Sequence, residues 1–391
     1  MPQTKPQELA KKYLLTRGQT IKLMEPLAIE DYLAQPSEEV SPPKWHLGHT
    51  TWFFETLVLK VYASNYSLFN AKFPFYFNSY YEGLGERIDR NSRGTLIRPP
   101  LSEVFAYRTY VDERMQLLLK EDLSLETLKI IELGINHEEQ HQELFLTDFK
   151  KILAIQAFQP AYKVDFKENL ALVTESAKWL EINAGLYDIG HTGNDFSFDN
   201  ERPNHKVYLP AFAISSQLVS NGEWADFIEA GGYQNFQHWH SEAWDWLKKE
   251  NIKAPLYWFK EDGDWHRYSL AGPQKVNARE SLSHISYYEA YAYAEWKGLR
   301  LPTEAEWEVS QELFAWGERW EWTNSAYLAY PGFKALDGPA REYNGKFMIN
   351  QMVLRGASIA SPAGHSRPTY RNFFHPQLRW QFTGLRLAKN I

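Results

Sequence analysis

Between Leu123 and Gln156 the chain has no proline and a single glycine, Gly134. No other stretch constrains the fold as tightly, because such a run reads as one long helix. It carries His137-Glu138-Glu139-Gln140-His141. Residues four apart on a helix lie about 40° apart around its axis, so the two histidines share a face. Two imidazoles placed this way can grip one metal ion, and the rest of the chain must then supply a third ligand. The string also fits H-E-x-x-H, which would place zinc between the histidines and make Glu138 a general base. A charged, solvated helix face with two ordinary histidines is the third reading.

Composition limits what the third ligand can be. There are no cysteines, which excludes a thiolate nucleophile, a disulfide scaffold and Cys-ligated zinc or iron–sulfur sites. A transition-metal site must therefore use His and carboxylates. Aromatic residues make up 16% of the chain, with 15 Trp, which suits aromatic-lined pockets. Net charge is −7, and no Lys/Arg run is long enough for a nucleic-acid tract. The N-terminus has no apolar signal core and no window approaches 18 apolar residues. A soluble cytoplasmic protein without a membrane or nucleic-acid partner is expected.

The first part reads as helices. Pro6 to Leu33 is helix-rich, and a proline-bearing loop ending at Pro43 leads into a helix with His46 and His49. These two histidines are three apart, so one or both can face His137 and His141 across a bundle. Phe69 to Pro100 is irregular, with Tyr80 and Tyr81 followed by Arg87, Arg90, Arg93 and Arg98. Long loops of this kind are often functional. A third helix is expected over Ser102–Lys120. From about Lys178 the texture changes to short strands and turns, interrupted by two amphipathic helices, Asn221–Ala230 and Ser286–Lys297. The expected fold class is α+β in two domains: a four-helix bundle over 1–160, a linker over 161–179 and an irregular domain over 180–391.

Four linked motifs stand in this order: H-x-x-H-x-x-W-F-F-E from His46, N-S-Y-Y-E from Asn78, H-E-E-Q-H-Q-E from His137 and R-N-F-F-x-P from Arg371. Arg300-Leu301-Pro302-Thr303-Glu304-Ala305-Glu306-Trp307-Glu308 and Val353-Leu354-Arg355-Gly356-Ala357-Ser358 add to them. The first half resembles DinB-like four-helix bundles. The second resembles the formylglycine-generating-enzyme (sulfatase-modifying factor) domain, a variant of the C-type lectin fold. Together they resemble the ergothioneine-biosynthetic sulfoxide synthases (EgtB family).

The resemblance implies Fe(II) held by His49, His137 and His141, with His46 outside the ligand set and Glu138 a second-shell or surface group. It implies a reaction that joins a thiol to C2 of the imidazole of Nα-trimethylhistidine (hercynine) and oxidises the sulfur, with O₂ as co-substrate. Gln140, Asn372, Phe373 and Phe374 match residues of the hercynine pocket. Arg87 and Arg90 match positions that grip the carboxylates of the thiol. Actinobacterial members carry a tyrosine where Ala340 stands and an Asp where Phe374 stands. Both departures point to the cysteine-using subgroup, in which Tyr80 or Tyr81 would donate the proton. The same chemistry with γ-glutamylcysteine, histidine or a selenosugar is the alternative. A zinc hydrolase and a non-catalytic binding module are the readings from other classes.

Overall fold

The computed structural model describes residues 6–79, 81–168, 170–173 and 177–391. Four long helices form the first part: α1 (Pro6–Met24), α2 (Pro43–Phe53), α3 (Leu101–Leu118) and α4 (Leu125–Ala154). Pro26 ends α1, since the residue before a proline is pushed out of helical conformation. Only a 3₁₀ turn, Ile29–Leu33, follows it. Pro43 occupies the first turn of α2. That helix continues as a π-helical segment, Phe54–Leu59. Ser124 caps α4 by accepting the Thr127 N–H at 3.1 Å. Gly134 brings α4 close to α2, because a Cβ there would lie 2.6 Å from the Phe54 ring.

Charge joins the helices in addition to apolar packing. Glu138 on α4 is fully buried. It accepts from Arg17 and Thr20 of α1 at 2.9 and 2.6 Å, and from Arg108 of α3 at 2.5 Å. Burial pushes its carboxyl up, but Arg108 and Arg17 outweigh that and hold it at about 2. The expected surface or second-shell place for Glu138 is thereby corrected: it is an ionised hub inside the bundle.

The second part is sheet-rich. Trp179–Ile182, Phe212–Ser215 and Ala388–Asn390 form one antiparallel sheet, so the last strand closes onto the start of this region. Asn372–Phe374, Met352–Gly356, Trp320–Ala326 and Thr383–Gly384 form a four-stranded sheet. A hairpin (Gly185–Ile189 with His205–Leu209) and a three-stranded meander (Trp258–Lys275) complete it. The expected helices stand at Asn221–Glu229 and Tyr287–Trp296. Two more are present, Ser241–Lys249 and Glu304–Ser310. The second of these starts on a Thr303/Glu306 capping box. The whole is mixed α+β. Among the described residues, no helix is long and apolar enough to cross a membrane.

The segment after α4 is pinned to both parts. The Tyr162 hydroxyl donates to the Leu23 carbonyl at 2.5 Å, and the Tyr162 N–H donates to the Leu270 carbonyl at 2.9 Å. The second part covers one face of α4. His365 reaches Glu139, Trp380 reaches Asp148, and Lys150 reaches His284. The polar face of α4 is therefore buried against protein, which overturns the solvated-face reading.

Glu138→Gln would leave the buried Arg108 guanidinium without its carboxylate, and should cost about 3–5 kcal/mol in urea denaturation at neutral pH. Because the folded-state carboxyl lies below its ordinary value of 4.5, its contribution is complete above that value and is lost as pH falls toward 2. The gap between wild type and variant should narrow in acid; a gap independent of pH would contradict the assignment.

Candidate metal centre and cavity

His49 sits midway along α2, and its ring orientation is fixed on three sides. Trp45 and Trp52 stack on its two faces, at 4.4 Å and 11°, and at 5.5 Å and 16°. Its Nδ1 donates to the Phe77 carbonyl at 2.6 Å. This places the proton on Nδ1 and leaves a lone pair on Nε2. That Nε2 faces the Nε2 of His137 at 3.1 Å. Phe53 stacks on His137 at 4.6 Å.

His141, one turn further along α4, completes the group. One ligand atom from each of the three histidines lies within 4.8 Å of the others. Burial, reinforced by neighbouring imidazoles, pushes His49 and His141 well below the ordinary histidine value. Burial likewise takes His137 down to about 3, against the opposing pull of Glu138. The three are neutral imidazoles with lone pairs turned toward one another, and the His137 Nδ1 has no hydrogen-bond partner among the described residues. Converging neutral nitrogens suit a divalent transition metal, so the residues present fit the group.

The three-apart pair on α2 is resolved by its surroundings. His49 turns to the cluster, whereas His46 places its Nδ1 2.9 Å from the His141 Nδ1 and its Nε2 3.1 Å from Asp148. Glu138 points into the bundle and does not line the cavity. It cannot be the general base of a zinc protease.

The histidines form part of the wall of a cavity of about 630 Å³ between the two parts of the chain. Gln140, Asn372, Phe373 and Phe374 all line it. Gln140 is held at both ends: its amide donates to the Tyr370 hydroxyl at 2.6 Å and accepts from Tyr343 at 2.5 Å. Phe373 stacks on Tyr327 at 4.0 Å, and Phe374 meets Trp380 edge-on. Tyr81 lines the cavity and is buried, which raises its phenol further above the ordinary value, with Glu342 and Asp199 adding to the effect. Tyr80 lies outside the described residues.

The arginines divide. Arg90 and Arg93 line the cavity, but Arg87 does not. Arg87 pairs instead with Glu82, at 2.8 and 3.0 Å. Arg93 lies over the Trp45 ring at 3.4 Å and donates to Ser41 at 2.9 Å. Sequence reasoning nominated Arg87 and passed over Arg93, since spacing along an irregular loop does not tell which guanidinium turns inward. It also missed Tyr343, Tyr370, Glu143 and Asp148. Asp148 had a signal: seven residues past His141, it lies on the same helix face.

Gly48 makes the His49 anchor possible. A Cβ there would fall 2.1 Å from the Phe77 ring, so the ring and the adjoining carbonyl must move. Gly48→Ala should cost about 1–3 kcal/mol by thermal unfolding, and should also weaken Co(II) binding in a spectroscopic titration. Unchanged stability and unchanged Co(II) affinity would contradict this close approach.

The comparisons with known proteins extend over most of the chain. Residues 12–145 match the DinB superfamily, and residues 167–312 match the sulfatase-modifying factor enzyme 1-like domain. A hercynine oxygenase of Mycobacterium tuberculosis is 28% identical, over 99% of this chain and 100% of its own. That of Mycolicibacterium smegmatis is 28% identical, over 66% of this chain and 71% of its own. That of Mycolicibacterium thermoresistibile is 31% identical, over 50% and 54%. Both domain families stand on one chain in this order, and a relative aligns along nearly all of it; the chain belongs to the hercynine oxygenase (EgtB) family.

Proposed function

We propose that this chain is an iron-dependent oxygenase that joins a thiol to C2 of the hercynine imidazole and oxidises the sulfur to a sulfoxide, with cysteine as the thiol. One observation carries the reading: three neutral imidazoles converge on a cavity that also holds two guanidiniums and an aromatic wall. Relatives named hercynine oxygenase supply the substrate class. In the balanced reaction the S–H and C2–H bonds break, the C–S bond forms, one atom of O₂ goes to sulfur and the other leaves as water.

His49, His137 and His141 would hold Fe(II). Bound there, the iron would supply the redox chemistry that couples O₂ reduction to sulfur transfer and oxidation. The protein's own groups do the rest. Gln140, fixed by Tyr343 and Tyr370, orients the imidazole substrate. Phe373 and Phe374 offer ring faces to its quaternary ammonium, which attracts cations electrostatically. Arg90 and Arg93 take the carboxylate of the thiol, a role that the family resemblance assigns to Arg87 and Arg90. Tyr81 lines the cavity with its phenol protonated at neutral pH, and its position there makes it the proton donor. Phe374 puts a ring, not a carboxylate, on the wall, and this favours cysteine over the longer γ-glutamylcysteine. The zinc hydrolase reading loses its general base with the burial of Glu138.

The test is oxygen uptake by the anaerobically Fe(II)-loaded protein, given hercynine with cysteine, hercynine with γ-glutamylcysteine, and histidine with cysteine, with products identified by mass. Hercynylcysteine sulfoxide formed fastest from free cysteine is the expected result, and His49→Ala should abolish both iron loading and turnover. Absence of O₂ uptake with every pair would overturn the reading. A preference for γ-glutamylcysteine would overturn the choice of thiol alone.

A further inference from the structure

Three ligands account for the cluster, yet the hydrogen bonds do not stop at His141. Its Nδ1 is 2.9 Å from the Nδ1 of His46. The other nitrogen of His46 is 3.1 Å from Asp148 Oδ2. Asp148 is itself held twice more: Trp380 donates its indole N–H to Oδ1 at 2.8 Å, and the Ser41 backbone N–H donates to Oδ2 at 2.8 Å. His46, Asp148, Trp380 and Ser41 are all buried. Four different parts of the chain therefore fix this line: the loop at Ser41, α2, α4 and the segment after Phe374 that carries Trp380.

Proton placement along the line follows from the donors. Asp148 accepts only, so the nitrogen facing it, His46 Nε2, carries the proton. In a neutral His46 ring the Nδ1 is then a lone pair that accepts from His141. His141 must donate from its Nδ1, which leaves its Nε2 as the free ligand atom. A carboxylate at the end of such a line draws hydrogen-bond density toward itself, makes the terminal imidazole more basic and fixes its rotation.

We propose that Asp148 and His46 form a positioning relay that holds His141 in its metal-binding tautomer and strengthens it as a donor, and that Trp380 ties this relay to the docking of the second part of the chain. The inference rests on the metal-centre reading above. It makes His46 a positioning residue, not a ligand. It also explains why His141 differs from His49. His49 gives its Nδ1 proton to a neutral backbone carbonyl, whereas His141 is connected through an imidazole to an ion.

The test compares wild type with Asp148→Asn, His46→Asn and Trp380→Phe, using Co(II) as the probe for affinity and Fe(II)/Fe(III) for the midpoint potential. Asp148→Asn should raise the Co(II) Kd about 10- to 100-fold. It should also move the iron potential to a more positive value, because a weaker donor stabilises Fe(III) less. His46→Asn, whose shorter side chain no longer reaches Asp148, should do the same. Trp380→Phe removes one donor to Asp148, and should shift both readouts in the same direction by less. A merely structural role would lower the melting temperature and leave the potential of the folded fraction unchanged, and that result would overturn the relay. Should Asp148→Asn fail to fold, the same criteria applied to His46→Asn and Trp380→Phe decide. Failure of wild type itself to bind Co(II) would overturn the metal-centre reading instead.

Discussion

The rest of the structure depends on the desolvation of one helix face. Between His137 and Lys150, α4 carries four imidazole or amide groups and several charges, and nearly all are withdrawn from water. Each must find a partner, because an unpaired buried charge costs several kcal/mol. Glu138 finds its partners within the bundle. Glu139 and Asp148 find theirs partly, and Glu143 and Lys150 largely, in the second part of the chain. Docking of the two parts and assembly of the cavity are therefore one event. The second part completes the burial of α4 and at the same time contributes Tyr343, Tyr370, Asn372, Phe373 and Phe374 to the wall.

Desolvation also sets the chemistry. Histidines clustered in water would carry protons near neutrality and repel one another. Burial keeps these three neutral, so their lone pairs are available. Nearby, the same effect works on a carboxyl without a cationic hydrogen-bond partner. Glu143 accepts from Ser358 at 3.0 Å, from Ser361 at 2.6 Å and from the Trp320 indole, and its carboxyl is raised by burial in spite of them. Glu138, five residues earlier on the same helix, is lowered because two guanidiniums face it. Partners, not position along the helix, decide each group's charge.

What could be read from the sequence follows the range over which each interaction acts. The His137/His141 pair was legible because helical periodicity is local. Spacing left the choice between His46 and His49 open, since both lie near the same face of α2, and only the family resemblance named His49. Phe77 and Asp148, 28 and 102 residues away respectively, make that choice. Glu138 read as a solvated or second-shell group because its partners Arg17 and Arg108 lie on other helices. Arg87 was named by resemblance alone, because a loop has no repeating period that assigns its side chains to a face, and Glu82 captures Arg87 locally. The two-part α+β architecture was legible from texture and from the linked motifs. The helix Ser241–Lys249 was missed: its N-cap, His240, makes no side-chain capping bond that could have marked its start.

The central claim is that His49, His137 and His141 are the ligands of one iron ion in the cavity between the two parts. Anomalous diffraction at the iron edge, from crystals grown anaerobically with Fe(II), tests it most directly. The account predicts a single strong peak bonded to a nitrogen of each of these three imidazoles, with His46 hydrogen-bonded to His141 and not to the metal. A peak coordinated by His46 in place of His49, or no peak within reach of the three histidines, would contradict it.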